Sequence, residues 1–245
     1  MGLVHYKVIL SYNGSNFAGF QRQKDRRTVQ GEFETCLRNL EWKGKSILAA
    51  GRTDAGVHAS GQVVSFQLEW HHSLEDLRND LKYYRPTDMA AKSLEAVPMD
   101  FHPRFDAISR CYSYQILCQE VRDPIKEVSA WRVWPDFELS RVMEASKALI
   151  GIHDFKAFGS PTSESGVTIR EVFSIDWKQN GNGYHFEICA NAFLYHMVRR
   201  IVFILVKIGQ NDVPIDLVAE SLETGAIAVT GLAPATGLVL KEVRY

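Results

Sequence analysis

The hydrophobic period of this chain switches between two and about 3.6 in the same order twice, and that repetition limits the folds open to it. Tyr6, Val8, Leu10 and Tyr12 fall on one face of a strand that ends at the Asn13-Gly14 turn signal. Val29, Phe33, Leu37 and Leu40 recur at helical spacing behind Thr28, a suitable N-cap. Residues 46–50 and 63–68 read as strands on either side of a glycine-rich loop at 51–61. A helix over 73–84 stops before Pro86, and a strand over 89–97 precedes Pro98. The second half starts again with an aromatic-rich strand over 107–118. A helix over 139–150 follows, ended by Gly151, a common residue just past a helix. Phe173, Ile175 and Trp177 alternate, Asn180-Gly181-Asn182-Gly183 turns the chain, and Tyr184, Phe186 and Ile188 alternate again, the clearest hairpin in the sequence. A helical stripe over 193–208 ends at Gly209. A short helix follows Pro214, and residues 238–245 read as a last strand.

Each half therefore reads strand–helix–strand–strand–helix–strand. That order predicts two ferredoxin-like βαββαβ units with antiparallel sheets, an α+β class. The expected subdomains are 1–104 and 105–245, parted around Pro98 and Pro103. Residues 160–166 read as a polar, mobile loop.

Length and composition narrow the classes further. With 245 residues, 46% of them apolar and 23% charged, the chain buries a real core, so disorder is not its main state. A net charge of −1 is not that of a protein that coats DNA non-specifically, although it leaves room for a basic cleft. The longest apolar run, 201–206, is too short to cross a membrane. The first residues have neither the basic-then-apolar order of a secretion signal nor a myristoylation pattern. Cys36, Cys111, Cys118 and Cys189 form no C-x-x-C pair, so the expectation is four reduced thiols in a cytoplasmic protein.

The most unusual stretch is Gly51-Arg52-Thr53-Asp54-Ala55-Gly56-Val57-His58-Ala59-Ser60-Gly61-Gln62. Composition alone reads it as a turn, since Asp, a small residue and Gly commonly make one. Its functional reading is a carboxylate whose backbone is fixed by glycines. A neighbouring cation would keep it ionised at neutral pH, which suits a nucleophile or base better than a general acid.

These residues resemble the signature of the TruA family of tRNA pseudouridine synthases, and the resemblance covers essentially the whole chain. It includes Tyr12-Asn13-Gly14-Ser15, Gly19-Phe20-Gln21-Arg22-Gln23, Thr28-Val29-Gln30 and Gly61-Gln62-Val63-Val64. It continues through Asp100-Phe101-His102-Pro103-Arg104-Phe105, Arg110-Cys111-Tyr112-Ser113-Tyr114, the run from Asn191 to Arg199, and Gly237-Leu238. The resemblance implies the pseudouridine synthase fold with a cleft between its two units. It also implies conversion of uridine to pseudouridine at positions 38, 39 and 40 of the tRNA anticodon stem-loop, by a homodimer without a cofactor.

That reaction detaches uracil from C1′ of its ribose, rotates it and rejoins it through C5. Nothing is oxidised or hydrolysed, so it asks for no nicotinamide, metal or ATP. By resemblance Asp54 is the catalytic carboxylate, attacking carbon or removing a ribose proton. Tyr112 lies against the uracil and is the candidate base for the C5 proton. A free tyrosine titrates near pH 10, so that role needs a shifted pKa or a relay. Arg199 matches the arginine that pairs with the catalytic Asp; read without the family it is an exposed residue on a helix, as Arg200 is.

The target base must be flipped from its stack. Arg52 either fills the vacated space or makes a structural ion pair near Asp54. Arg22, Lys24, Arg26 and Arg27, four cations within six residues, are candidate phosphate contacts, although such a run is often only a solvated loop. His58 reads as a hydrogen-bond partner holding the Asp54 loop, and His196 as structural. His71 and His72 lack further ligands at metal spacing, so no metal site is expected. Trp131 and Trp134 read as hairpin or core aromatics.

Three positions depart from the family pattern: Asn13 in place of Asp, Arg85 where Leu is common before Pro86, and Val239 where Tyr often follows Gly-Leu. The competing readings are a non-catalytic RNA-binding protein on the same scaffold, a metal-dependent hydrolase using Asp54 with nearby histidines, and the same chemistry on another RNA.

Overall fold

The structure is a computed structural model that describes residues 2–161, 166–227 and 229–245. The expected loop at 160–166 thus falls mostly on residues outside the described ones. The chain forms two compact units, Met1–Ile108 with Val239–Tyr245, and Ser109–Leu238.

The first unit carries β1 (Val4–Tyr12), α1 (Val29–Arg38), β2 (Leu48–Ala49), β3 (His58–Leu68), α2 (Leu74–Tyr84) and β4 (Met89–Val97). This is the predicted βαββαβ order. β1 lies between β4 and β3, antiparallel to both, and β2 pairs antiparallel with Val64 and Ser65 of β3. Tyr6, Val8 and Leu10 on one face of β1 are buried, as are Phe33 and Leu37 of α1 and Leu77 and Leu81 of α2. Both helix starts follow their sequence signals. Thr28 accepts from the Gly31 N–H, and Ser73 closes a reciprocal capping box with Asp76. α2 stops at Arg85, held extended ahead of Pro86. Arg85 itself folds back on that turn, donating to the carbonyls of Pro86 and Met89, which gives its departure from the family pattern a local structural use.

The closing strand β10 (Leu238–Arg244) differs from expectation. Assigned by sequence order to the second subdomain, it belongs from Val239 onward to the first unit. It runs parallel to β3, with Val239 opposite His58 and Leu240 opposite Ala59. Ser60 Oγ donates to Lys241 O and the Ile108 N–H to Arg244 O. Tyr245 Oη donates to Pro103 O, and its ring lies 5.1 Å from that of Phe101.

The second unit contains β5 (Ser109–Cys118), β6 (Trp131–Val133), α3 (Leu139–Lys147), β7 (Gly151–Asp154), β8 (Ile169–Asn180), β9 (Gly183–Ala190), α4 (Met197–Gly209) and α5 (Leu217–Thr224). β9 pairs antiparallel with β5 and β8, β7 lies antiparallel on β8, and β6 runs parallel to β5. The short strands β6 and β7 are additions to the expected order. The hairpin reading holds, with Asn180 opposite Gly183 across a turn in which Gly181 has φ +57°. α4 begins four residues later than its apolar stripe suggests. His196 sits in the left-handed region, φ +66°, where a helix cannot start through it, and Tyr195 pairs with Ser160 instead.

Two further expectations change. Cys111 and Cys189 are bonded as a disulfide, so the chain does not hold four thiols. They stand directly opposite each other on β5 and β9, with Cα atoms 4.2 Å apart, a closeness that a separation of 78 residues hides in the sequence. Cys36 and Cys118 are free and buried. Trp131 stacks on Phe203 at 6.2 Å as a packing aromatic, whereas Trp134 is 53% exposed. Among the described residues no helix is long and apolar enough to cross a membrane.

Candidate active site

The loop carrying Asp54 connects β2 to β3 and is clamped within the first unit from several sides. Thr53 is buried, Asp54 half-buried and Arg52 exposed. On the β1 side, Tyr12 Oη and Thr53 Oγ1 are 2.8 Å apart in a buried hydrogen bond. The Phe20 N–H donates to Thr53 O at 3.0 Å. From β3, Gln62 Nε2 donates to Gly51 O at 3.0 Å. His58 Nδ1 accepts the Gly14 N–H at 3.0 Å, which joins the loop to the turn after β1 and gives His58 the holding role expected of it. The turn itself is formed by Ala55 and Gly56, with Gly56 at φ +79° and the Val57 N–H donating to Asp54 O.

The hydroxyl of Tyr12 is fully enclosed. Burial pushes its pKa up to about 12, while the Thr53 and Gln62 side chains act in the opposite direction. Periodicity places Tyr12 correctly on the buried face of β1 but says nothing of its hydroxyl. Tyr12, Thr53 and Gln62 frame the loop, a placement that sequence reasoning missed although all three lie in the quoted motifs.

Arg52 has no ion-pair partner among the described residues. Of the cationic run, Arg22 forms an ion pair with Glu34, a fully buried carboxylate that also accepts from Gln30 Nε2 at 2.8 Å and the Ile47 N–H at 3.2 Å. Arg27 grips Asp88 through two nitrogens at 2.7 and 2.9 Å and lies 4.3 Å over the Phe17 ring. That grip holds the Asp88 carboxyl below its usual range, the hydrogen bond from Arg27 being the largest cause. Lys24 and Arg26 are exposed at the tip of the loop, with no ion-pair partner among the described residues.

In the second unit Tyr112 is half-buried on β5, opposite Ile188 of β9, and its ring meets that of Phe193 edge-on at 5.1 Å. Arg199 stands in the first turn of α4. Its Nε donates to Ala233 O at 2.8 Å, and the Ala233 N–H donates to Arg199 O at 3.2 Å, so backbone and side chain are fixed together. Arg200 is not the exposed residue expected: it is half-buried, its Nε has no hydrogen-bond partner among the described residues, and Nη1 reaches Ala157 O at 3.4 Å.

Comparison with known proteins identifies the group to which these residues belong. A family model described as tRNA pseudouridine synthase matches residues 8–106 and 145–245. The chain belongs to that family. Its α+β architecture is therefore the pseudouridine synthase fold, and its family is one of isomerases acting on tRNA. It is 34% identical to the tRNA pseudouridine synthase A of Geobacter sp. (strain M21) over 241 residues, 98% of each chain. It is 39% identical to the protein of that name from Chloroflexus aurantiacus, covering 97% of this chain and 87% of that one. It is 36% identical to one from Listeria monocytogenes, covering 99% of this chain and all of the other. A solved structure of a Cbf5–Nop10–Gar1 complex aligns over 82% of this chain and 54% of that one, at 12% identity and a TM-score of 0.34, too distant a likeness to bear on function.

Proposed function

We propose that this family member isomerises uridine to pseudouridine at positions 38, 39 and 40 of the tRNA anticodon stem-loop, with Asp54 as its catalytic carboxylate. The observation that carries the proposal is the fixing of the Asp54 loop: Thr53 on one side of the carboxylate and Val57 beyond it are tied by hydrogen bonds, so the acid is presented from a preformed backbone. A group that must meet C1′ or a ribose proton in one orientation gains most of its rate from such placement.

The remaining roles follow from the resemblance. Tyr112 lies against the uracil and takes or relays the C5 proton, with Phe193 packed edge-on to steady its ring. By that resemblance Arg199 is the arginine that pairs with the catalytic carboxylate, and within its own unit its Nε is tethered to Ala233 O. Arg52, exposed and without an ion-pair partner among the described residues, suits the space left by the flipped base or the nucleotide itself. Lys24 and Arg26 carry phosphate contact more simply than Arg22 and Arg27, whose guanidinium groups are engaged by Glu34 and Asp88. A homodimer acting in the cytoplasm completes the proposal, since one near-neutral subunit offers limited positive surface to a stem-loop gripped from two sides.

Tritium release from a tRNA transcript carrying 5-tritiated uridine tests the chemistry, because joining C1′ to C5 must expel the label. Wild type is expected to release it and Asp54→Asn to bind tRNA without release. Release by Asp54→Asn at the wild-type rate would remove Asp54 from the mechanism, and binding without release by either protein would favour the RNA-binding reading. Transcripts with a single labelled uridine at 38, 39 or 40 test the positions. A monomeric mass by light scattering at micromolar concentration would refute the dimer.

A further inference from the structure

Against the Asp54 loop lie buried polar side chains whose hydrogen bonds hold it at Gly51 and Thr53. Thr53 is 7% exposed, Tyr12 4% and Gln62 not at all. Either hydroxyl of the Tyr12–Thr53 pair could donate across their 2.8 Å contact. Gln62 ties the loop a second time. Its amide nitrogen donates to Gly51 O at 3.0 Å, whereas its Oε1 is buried without a hydrogen-bond partner among the described residues. The Thr53 and Gln62 side chains both act to lower the pKa of the phenol, against the larger effect of its burial. The Tyr12–Thr53 bond holds the loop at Thr53, and the Gln62 bond holds it at Gly51. Arg52 lies between these two holds, with Asp54 next in line.

We propose that Tyr12 is a positioning residue for Asp54, setting the carboxylate through the hydroxyl of Thr53 rather than by touching substrate. This deepens the function proposed above and rests on Asp54 being the catalytic carboxylate. The pattern explains why a tyrosine stands at Tyr12, where the rest of the β1 core face is filled by Tyr6, Val8 and Leu10. A phenylalanine would fill the same volume and remove the buried hydrogen bond to Thr53. The proposal concerns rate and not affinity, since none of the three polar groups is open to a bound RNA.

The test uses the full chain and the tritium-release assay with Tyr12→Phe, Thr53→Val, the double variant, Thr53→Ser and Asp54→Asn in parallel. Tyr12→Phe and Thr53→Val are each expected to lower kcat on the order of 10- to 100-fold, the scale of a carboxylate displaced by a fraction of an ångström to an ångström, while KM and tRNA affinity stay within about twofold. The double variant is expected to lose no more than the worse single one, because both cut the same link. Thr53→Ser, which keeps the hydroxyl, should restore most of kcat. A merely structural role would lower the melting temperature yet leave kcat below melting untouched, and that result overturns the proposal. So do losses confined to KM, or losses that multiply in the double variant. If Tyr12→Phe fails to fold, Thr53→Val against Thr53→Ser decides by the same criteria. Asp54→Asn separates the two levels: full turnover there refutes Asp54 as the catalytic group, whereas an inactive Asp54→Asn beside a fully active Tyr12→Phe refutes only the positioning role.

Discussion

Gly14→Ala should damage both stability and rate, although Gly14 touches no substrate. Gly14 is buried in the turn after β1, and its N–H donates to His58 Nδ1 at 3.0 Å. A Cβ placed on it would lie 2.0 Å from Val57 O and 2.5 Å from the Val57 carbonyl carbon, both rigid backbone atoms. Opening 2.0 Å to the 3.4 Å of ordinary contact requires the turn and the Asp54 loop to part by about 1.4 Å. The Gly14–His58 hydrogen bond cannot survive such a shift. Forcing extra volume into a packed site costs about 1–3 kcal/mol, and a lost buried hydrogen bond adds about 1 kcal/mol. A loss of about 2–4 kcal/mol corresponds to a fall in Tm on the order of 10 °C for a protein of this size. A loop displaced by about an ångström should lower kcat on the order of 100-fold. Thermal unfolding followed by circular dichroism, and tritium release measured well below the melting point, give the two numbers. Gly51→Ala is the control, because its Cβ would meet nothing within 4 Å and its backbone conformation is one other residues adopt. A Gly14→Ala protein that melts and turns over like wild type would refute the view that the turn after β1 holds the Asp54 loop in place.

The cationic run should divide in two. Lys24→Ala and Arg26→Ala should leave Tm unchanged and each reduce the slope of log affinity for tRNA against log salt by about 0.8, as expected for one lost phosphate contact. Arg22→Ala should instead lower Tm by an amount corresponding to about 1–2 kcal/mol, since it deprives the buried Glu34 of a partner while the exposed guanidinium itself is partly screened; unchanged melting with weakened tRNA binding would reverse that assignment. The Arg27–Asp88 pair should matter less in acid. Asp88 has a lowered folded-state pKa, so its contribution is present above the unfolded carboxylate value of about 3.9 and is lost as pH falls through the lowered one. The gap in Tm between wild type and Asp88→Asn should therefore narrow from pH 7 towards pH 3, and a constant gap would contradict it. Unfolded in denaturant without reductant, the protein should expose two titratable thiols, Cys36 and Cys118, and two more only after reduction; in the native state Cys36 should react slowly, since burial pushes its thiol up to about 11.

What could be read from the sequence and what could not divide along a physical line. Elements whose residues carry their own instructions were legible. α2 has Ser73 and Asp76 to start it and Pro86 to stop it. The β8–β9 hairpin has its glycine turn, and β1 has strict burial on one face. Features that depend on partners far away in the chain were not. β10 pairs with a strand 181 residues from it through Val239 and His58, and nothing in residues 238–245 names that partner. Cys111 and Cys189 are neighbours only because β5 and β9 adopt one register. His196 ends a pattern that apolar spacing would continue, because a left-handed residue leaves no mark on periodicity. The candidate site shows the same division at finer scale. Asp54, Tyr112 and Arg199 were marked by motif. The hydroxyl of Tyr12 was hidden, because an aromatic on a buried strand face already satisfies the hydrophobic pattern and gives no reason to ask where its one polar atom goes. That question becomes unavoidable once Thr53 and Gln62 are seen enclosed beside it, since three buried polar groups must partner one another or leave one unpaired. A motif locates a reactive group; the residues that aim it are recovered by accounting for every buried donor and acceptor around it.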